Sequence, residues 1–111
     1  MKEIRYRCWI EIGGEKIFGP GPLRLLELIE KNGSLSKAAK EMNMSYKKAW
    51  GLINKLNMSH EEPVITSQKG GTRGGGAAVT ERGRELIRQY RTLSEKLEDC
   101  LSGHKEILEL F

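Results

Sequence analysis

Ser45, Tyr46, Lys47 and Lys48 stand in direct succession, and Asn54 and Lys55 follow two helical turns later. Hydroxyl, ammonium and amide groups in that pattern are suited to nucleic acid. An ammonium meets a phosphate oxygen as a point charge, an amide can pair with the edge of adenine, and a hydroxyl serves either partner. The charge around them is one-sided: from Ser34 to Ser59 it comprises Lys37, Lys40, Lys47, Lys48 and Lys55 against Glu41 alone. Across all 111 residues, 19 Lys and Arg face 15 Asp and Glu, for a net +4, so a basic surface must come from such clustering and not from the bulk balance.

Two short amphipathic helices joined by a tight turn are needed to present these groups. In the first, Leu35, Ala38, Ala39 and Met42 share one face, and the paired alanines allow a second helix to cross closely. Ser45 restarts the chain as an N-cap. The second helix then buries Ala49, Trp50, Ile53 and Leu56, with Trp50 filling the core, and leaves Tyr46, Lys47, Gly51, Asn54 and Lys55 outside. This is a helix-turn-helix over residues 34–58, whose second helix can enter the major groove of double-stranded DNA while Ser36 and Lys37 of the first approach the backbone.

Upstream, Ile4, Tyr6, Cys8, Ile10 and Ile12 alternate with Arg5, Arg7, Trp9 and Glu11, the period of a strand with one buried face. Gly13-Gly14 and a return run to Phe18 complete a β-hairpin over residues 1–18. Gly19-Pro20-Gly21-Pro22 stops the strand and launches a helix with Leu25, Leu26, Leu28 and Ile29 as its core stripe, ended by Asn32-Gly33. Residues 20–59 thus form a three-helix core, with hairpin and first helix as scaffold.

Downstream, Pro63 breaks the chain, and short strands at Val64–Thr66 and Ala77–Val79 flank a glycine-rich loop bearing Lys69, Gly70, Gly71, Thr72, Arg73 and Gly74. The loop lacks the Gly-Lys-Ser/Thr ending of a nucleotide-binding P-loop. Its position just after the second helix of the pair makes residues 63–79 a two-stranded wing, able to approach a sugar-phosphate rail or a minor groove.

Thr80 caps a long helix. Leu86, Tyr90, Leu93, Leu97 and Cys100, with Leu101 beside them and His104, Ile107 and Phe111 beyond, follow spacings of four and three. That is the seam of a helix meant for a partner helix, and it casts residues 80–111 as a dimerisation helix and tail. Ser102-Gly103 should bend the tail or set off a separate short helix. Arg82, Arg84, Arg88 and Arg91 occupy the first half, so any nucleic acid is expected near the helix start.

The length suits a single domain spanning 1–111. No run approaches the roughly 20 apolar residues of a membrane span, and the alternating start is no signal-peptide core, which implies a cytoplasmic protein with no membrane partner. Cys8, Cys100, His60 and His104 are too scattered for a metal site. Pairs such as Glu61-Glu62 lack a nucleophile and base, so no enzyme and no cofactor is expected.

Ser45-Tyr46-Lys47-Lys48-Ala49-Trp50 with Ile53-Asn54 and Asn57, then Gly70-Gly71, Gly74-Gly75-Gly76-Ala77 and Thr80-x-x-Gly83, resembles the N-terminal DNA-binding domain of the ModE family of molybdate-responsive transcription regulators. The likeness extends from the Trp9 strand and the Phe18-Gly19-Pro20-Gly21 turn to about Tyr90. It implies a mainly α winged helix with small β elements that binds an inverted-repeat operator as a homodimer. Ser45, Tyr46, Lys47, Lys48 and Asn54 then serve as recognition residues, and the Lys69–Gly75 loop as the wing tip. The oxyanion-binding domains that follow in the full-length bacterial regulators are absent from this sequence, so molybdate binding is not expected of this chain alone. The rival expectation is a winged helix that binds protein and docks through its terminal helix.

Overall fold

The computed structural model describes residues 1–59, 61–68 and 76–111. The chain runs β1 (Ile10–Ile12), β2 (Glu15–Phe18), α1 (Pro20–Asn32), α2 (Leu35–Glu41), α3 (Tyr46–Met58), β3 (Ile65–Gln68), β4 (Gly76–Val79), α4 (Glu81–Ser102) and a 3₁₀ turn (Lys105–Leu110). Two separate antiparallel hairpins, β1–β2 and β3–β4, flank the helices, and the fold is a winged helix.

Local chemistry sets most of the boundaries. Gly13 and Gly14, at φ 59° and 81°, form a two-residue turn whose two positive φ angles only glycine adopts without strain. Prolines at the first turn of α1 fit where the N–H has no helical partner. Gly33 closes that helix at φ 66°, its N–H donating to the Ile29 carbonyl at 2.7 Å. The Ser34 and Ser45 hydroxyls each accept an N–H three residues on, capping α2 and α3. Between those helices Asn43 takes a left-handed conformation at φ 53°. Met44 N–H then reaches back to the Ala39 carbonyl (2.9 Å) and Asn43 N–H to that of Lys40 (3.1 Å), the paired bonds that end a helix sharply. The turn of the helix-turn-helix is therefore built from backbone, with asparagine as the tolerated residue at positive φ.

Leu25, Leu26, Leu28 and Ile29 of α1 sit at the centre of the core, joined by Ala38 and Ala39 of α2 and by Ala49, Ile53 and Leu56 of α3. Phe18 enters from β2 and meets Tyr90 of α4 edge-on, ring centroids 5.2 Å apart. Val64, Ile65, Ala77 and Val79 close the wing side. At 1.5 Å per residue, the 22 residues of α4 reach about 33 Å. Its buried residues, Gly83, Ile87 and Tyr90, all belong to its first half. The second half projects, and the radius of gyration is 16.8 Å where a compact chain of this length has about 13 Å.

Three expectations are corrected. The alternating N-terminal run is not a long strand with a buried face: β1 holds three residues, and Ile10 and Ile12 are exposed. Residues ahead of it track α4 instead. The Tyr90 hydroxyl donates to the Cys8 carbonyl (2.7 Å), that of Tyr6 to Ser94 (3.2 Å), and Lys2 Nζ to Phe111 (3.1 Å). The Tyr90 side chain thus satisfies a Cys8 carbonyl that a strand partner would otherwise take. Trp50 is not a core residue but is 52% exposed, because the stripe Ala49, Ile53, Leu56 turns it about 100° away from the buried face. Tyr90 is not free to join a partner helix, being buried against Phe18 and bonded to Cys8.

Candidate nucleic-acid interface

The outer side of α3 is open along its length. Tyr46, Lys47, Lys48, Trp50, Gly51, Asn54 and Met58 are exposed, and Ser36 and Lys37 are exposed on α2. Lys37, Lys40, Lys47 and Lys48 form no ion pair with any described residue, which leaves four uncompensated positive charges on the helix pair. Lys55 differs: its ammonium lies 2.9 Å from the Glu15 carboxylate on the β1–β2 hairpin, so it ties α3 to that hairpin. Asn54 Nδ2 makes one weak contact, 3.6 Å from Met58 Sδ, and the residue is exposed.

The arginines of α4 are arranged oppositely. Arg82 pairs with Glu62 (3.6 Å), Arg84 with Glu81 and with Glu30 (3.7 Å), Arg88 with Glu85, and Arg91 with Glu27. The Arg88 guanidinium, followed by Gln89, holds the Glu85 carboxyl below its usual range, and hydrogen bonding to Glu81 and Glu85 raises Arg84 and Arg88 respectively. Exposed pairs of this kind add little stability, but they cancel local charge. The helix start expected to lie near nucleic acid is thus charge-paired, whereas four lysines of α2 and α3 are not.

The root of the wing is held from both sides. Asn57, in the last turn of α3, accepts the N–H groups of Val64 (2.8 Å) and Ile65 (3.2 Å) on Oδ1, and its Nδ2 donates to the Ile65 carbonyl (3.1 Å). From the other side, Thr80 caps α4 through the Gly83 N–H while its own hydroxyl donates to the Pro63 carbonyl (2.7 Å) and its N–H to that of Val64 (2.9 Å). Gly83 is required here: a Cβ would stand 2.5 Å from the Val64 carbonyl oxygen and 2.6 Å from Val79 Cγ1. β3 and β4 pair in register, Ile65 opposite Val79 through Gln68 opposite Gly76, and Ala77 N–H bonds the Gly33 carbonyl (3.0 Å). Lys69, Gly70, Gly71, Thr72, Arg73 and Gly74 lie outside the described residues. The positioning role of Asn57 was not read from the sequence, where a polar residue in the last turn of a helix and six before a proline was the available signal.

Of the seam residues, Leu86 packs partly on the core and Tyr90 is spent within the chain. Leu93 and Cys100 are exposed, and Leu97 and Leu101 are half-buried. Among the described residues no group of three or more His, Cys, Asp or Glu is placed to hold a metal ion, and no helix is long and apolar enough to cross a membrane.

No family model matches the sequence. Individual relatives do. The chain is 40% identical over 86 residues to the molybdenum transport protein ModE of Azotobacter vinelandii, covering 78% of this chain and 32% of that protein. It is 39% identical over 82 residues to the DNA-binding transcriptional dual regulator ModE of Escherichia coli K12, covering 73% and 31%. The molybdenum-pterin-binding protein MopB of Rhodobacter capsulatus is 37% identical over 104 residues, covering 94% and 36%. These relatives are named as regulators and molybdenum proteins, none as an enzyme. The chain spans about a third of the length of each. With this similarity over most of its own length, a winged-helix fold and the lysine-bearing second helix of the pair in place, the chain is consistent with an N-terminal ModE-type domain.

Proposed function

We propose that this domain binds double-stranded DNA sequence-specifically, in the cytoplasm, as the operator-reading part of a transcription regulator, and does so as a homodimer on an inverted repeat. The observation that carries the reading is the contrast in charge: Lys37, Lys40, Lys47 and Lys48 of α2 and α3 have no ion-pair partner among the described residues, while the arginines of α4 are each met by a carboxylate. Lys37, Lys47, Lys48, Lys69 and Arg73 serve as phosphate contacts, with Ser36, Ser45, Gly70, Gly71, Thr72 and Gly74 approaching the same rails. Tyr46 and Asn54 reach base edges. Lys55, held by Glu15, positions α3 and contributes less to phosphate binding. The name of the Escherichia coli relative supports the same reading.

The dimer would form along the projecting half of α4, through Leu93, Leu97, Cys100 and Leu101, and set two recognition helices on successive major grooves about 34 Å apart. The test is to sequence DNA retained by the purified protein from random pools and to titrate the selected duplex against salt. Five phosphate contacts correspond to a loss of affinity of about 500-fold between 50 and 200 mM salt. Retention of no sequence above background, with self-association or protein capture through α4 preserved, would favour a protein-docking module instead.

A further inference from the structure

Trp50 stands where a buried aromatic was expected, and its surroundings give it a different use. Tyr46, Trp50, Asn54 and Met58 recur every fourth residue, so they form one row along α3. Tyr46 is 57% exposed, Trp50 52% and Met58 78%. Lys47 and Lys48 flank the row without an ion-pair partner among the described residues, and Gly51 lies beside Trp50 with nothing within 4 Å of where its Cβ would be. An apolar row of that size is costly to leave in water. Its flanking charge favours a polyanion over an apolar protein groove, and the side-chain-free Gly51 lets the helix backbone come close to whatever it meets.

The major groove of DNA offers one apolar feature, the C5 methyl of thymine, framed by acceptors that an indole N–H can meet. We propose that Trp50 is a specificity-determining residue of this domain, its ring packing on thymine methyl groups in the major groove, with Gly51 permitting the close approach. The proposal rests on the DNA-binding reading above and deepens it. Trp50 thereby selects thymine-containing steps that lysine and asparagine contacts alone would not distinguish from their uracil counterparts.

Replacing thymine by uracil removes the methyl and leaves base pairing and groove acceptors intact. The experiment places single thymine-to-uracil changes along the selected duplex and measures wild type, Trp50→Ala and Trp50→Phe by fluorescence anisotropy. In wild type, one or two positions should each lose about fourfold in affinity, the value of one buried methyl-sized group. Trp50→Ala should abolish that penalty at those positions, and Trp50→Phe should keep it. Exposure of Trp50 leaves the fold intact in both variants, which circular dichroism verifies. Equal penalties in wild type and Trp50→Ala, or a change in oligomeric state without any change in methyl dependence, would overturn the proposal alone. Failure of the wild type to bind any duplex would overturn it together with the DNA-binding reading.

Discussion

Asn57 Oδ1 accepts the N–H of Val64 at 2.8 Å, joining the last turn of the recognition helix to the root of the wing. Because the same carboxamide also engages both backbone groups of Ile65, the helix and the hairpin have a fixed relative orientation before either meets a ligand. A reader that must place a helix and a wing on one duplex benefits directly, since the ordering cost of docking is lower when the two are already aligned.

Asn57→Ala should therefore act on both stability and binding. Two amides beside the fully buried Val64 lose their acceptor, a cost of about 1–3 kcal/mol. Denaturant unfolding would register it, and hydrogen exchange should show protection falling at Val64 and Ile65 ahead of the α1 core. Affinity for the selected duplex should fall further than the loss of folded fraction explains.

Two helical glycines should respond oppositely to alanine. At Gly51 the added methyl meets open space, so Gly51→Ala should raise stability by up to about 1 kcal/mol through helix propensity. At Gly83 the obstacles are the Val64 carbonyl and Val79, and a backbone atom cannot swing aside as a flexible side chain can. Overpacking of about 1–3 kcal/mol should outweigh the propensity gain there, giving net loss. Thermal melts of the two variants provide the comparison. If α3 seats in the groove, Gly51→Ala should also weaken DNA binding while stabilising the fold.

These glycines mark where the sequence was readable. Caps, turns and helix stripes depend on neighbours within four residues, so Ser45, Thr80, Gly13-Gly14 and the Leu25 to Ile29 stripe could be placed from local pattern. Trp50 could not, because beside Ala49 and Ile53 a large apolar residue at the edge of a stripe falls inside or outside according to how a distant element packs. The N-terminal alternation predicted a strand with one buried face, whereas only Ile4 and Cys8 of that face are even half-covered, because the run lies along α4 and not in a sheet. Heptad spacing identified an apolar row without distinguishing a partner in the same chain, as for Tyr90, from one in another. At the candidate site the lysines were legible as charge, whereas the pairing of Lys55 with Glu15, 40 positions away, required the fold.

Tyr90 also carries a pH signature. Burial, the largest cause, raises its phenol above the ordinary value of 10.0. In the folded state the proton is held more tightly than in the unfolded chain, so this contribution is complete below about pH 10 and declines as pH rises through the folded value. Tyr90→Phe retains the ring against Phe18 but loses the bond to the Cys8 carbonyl, costing about 0.5–1.5 kcal/mol at neutral pH. The variant should show a flatter decline of stability above pH 10 than wild type. Denaturant midpoints measured at pH 7, 10 and 11 would separate the two effects, and an identical alkaline slope would show that the phenol is not the group responsible.

The projecting half of α4 carries apolar residues that the chain covers only in part. Leu93 is 44% exposed and Leu97 half-buried, four residues apart on one face, and neither belongs to the core cluster or to the residues packed on it. Changing both to glutamate should leave the melting of the winged-helix body nearly unaltered, because surface substitutions away from the core cost little. If two chains meet there, the same change buries four like charges in the seam, and sedimentation should report a monomer where wild type is a dimer. Affinity for a full inverted repeat should then fall toward that for a half-site, since the linkage that turns the second contact into an intramolecular event is lost. A double variant that remains dimeric, or that still discriminates full sites from half-sites, would assign the two-fold contact to another face of the domain.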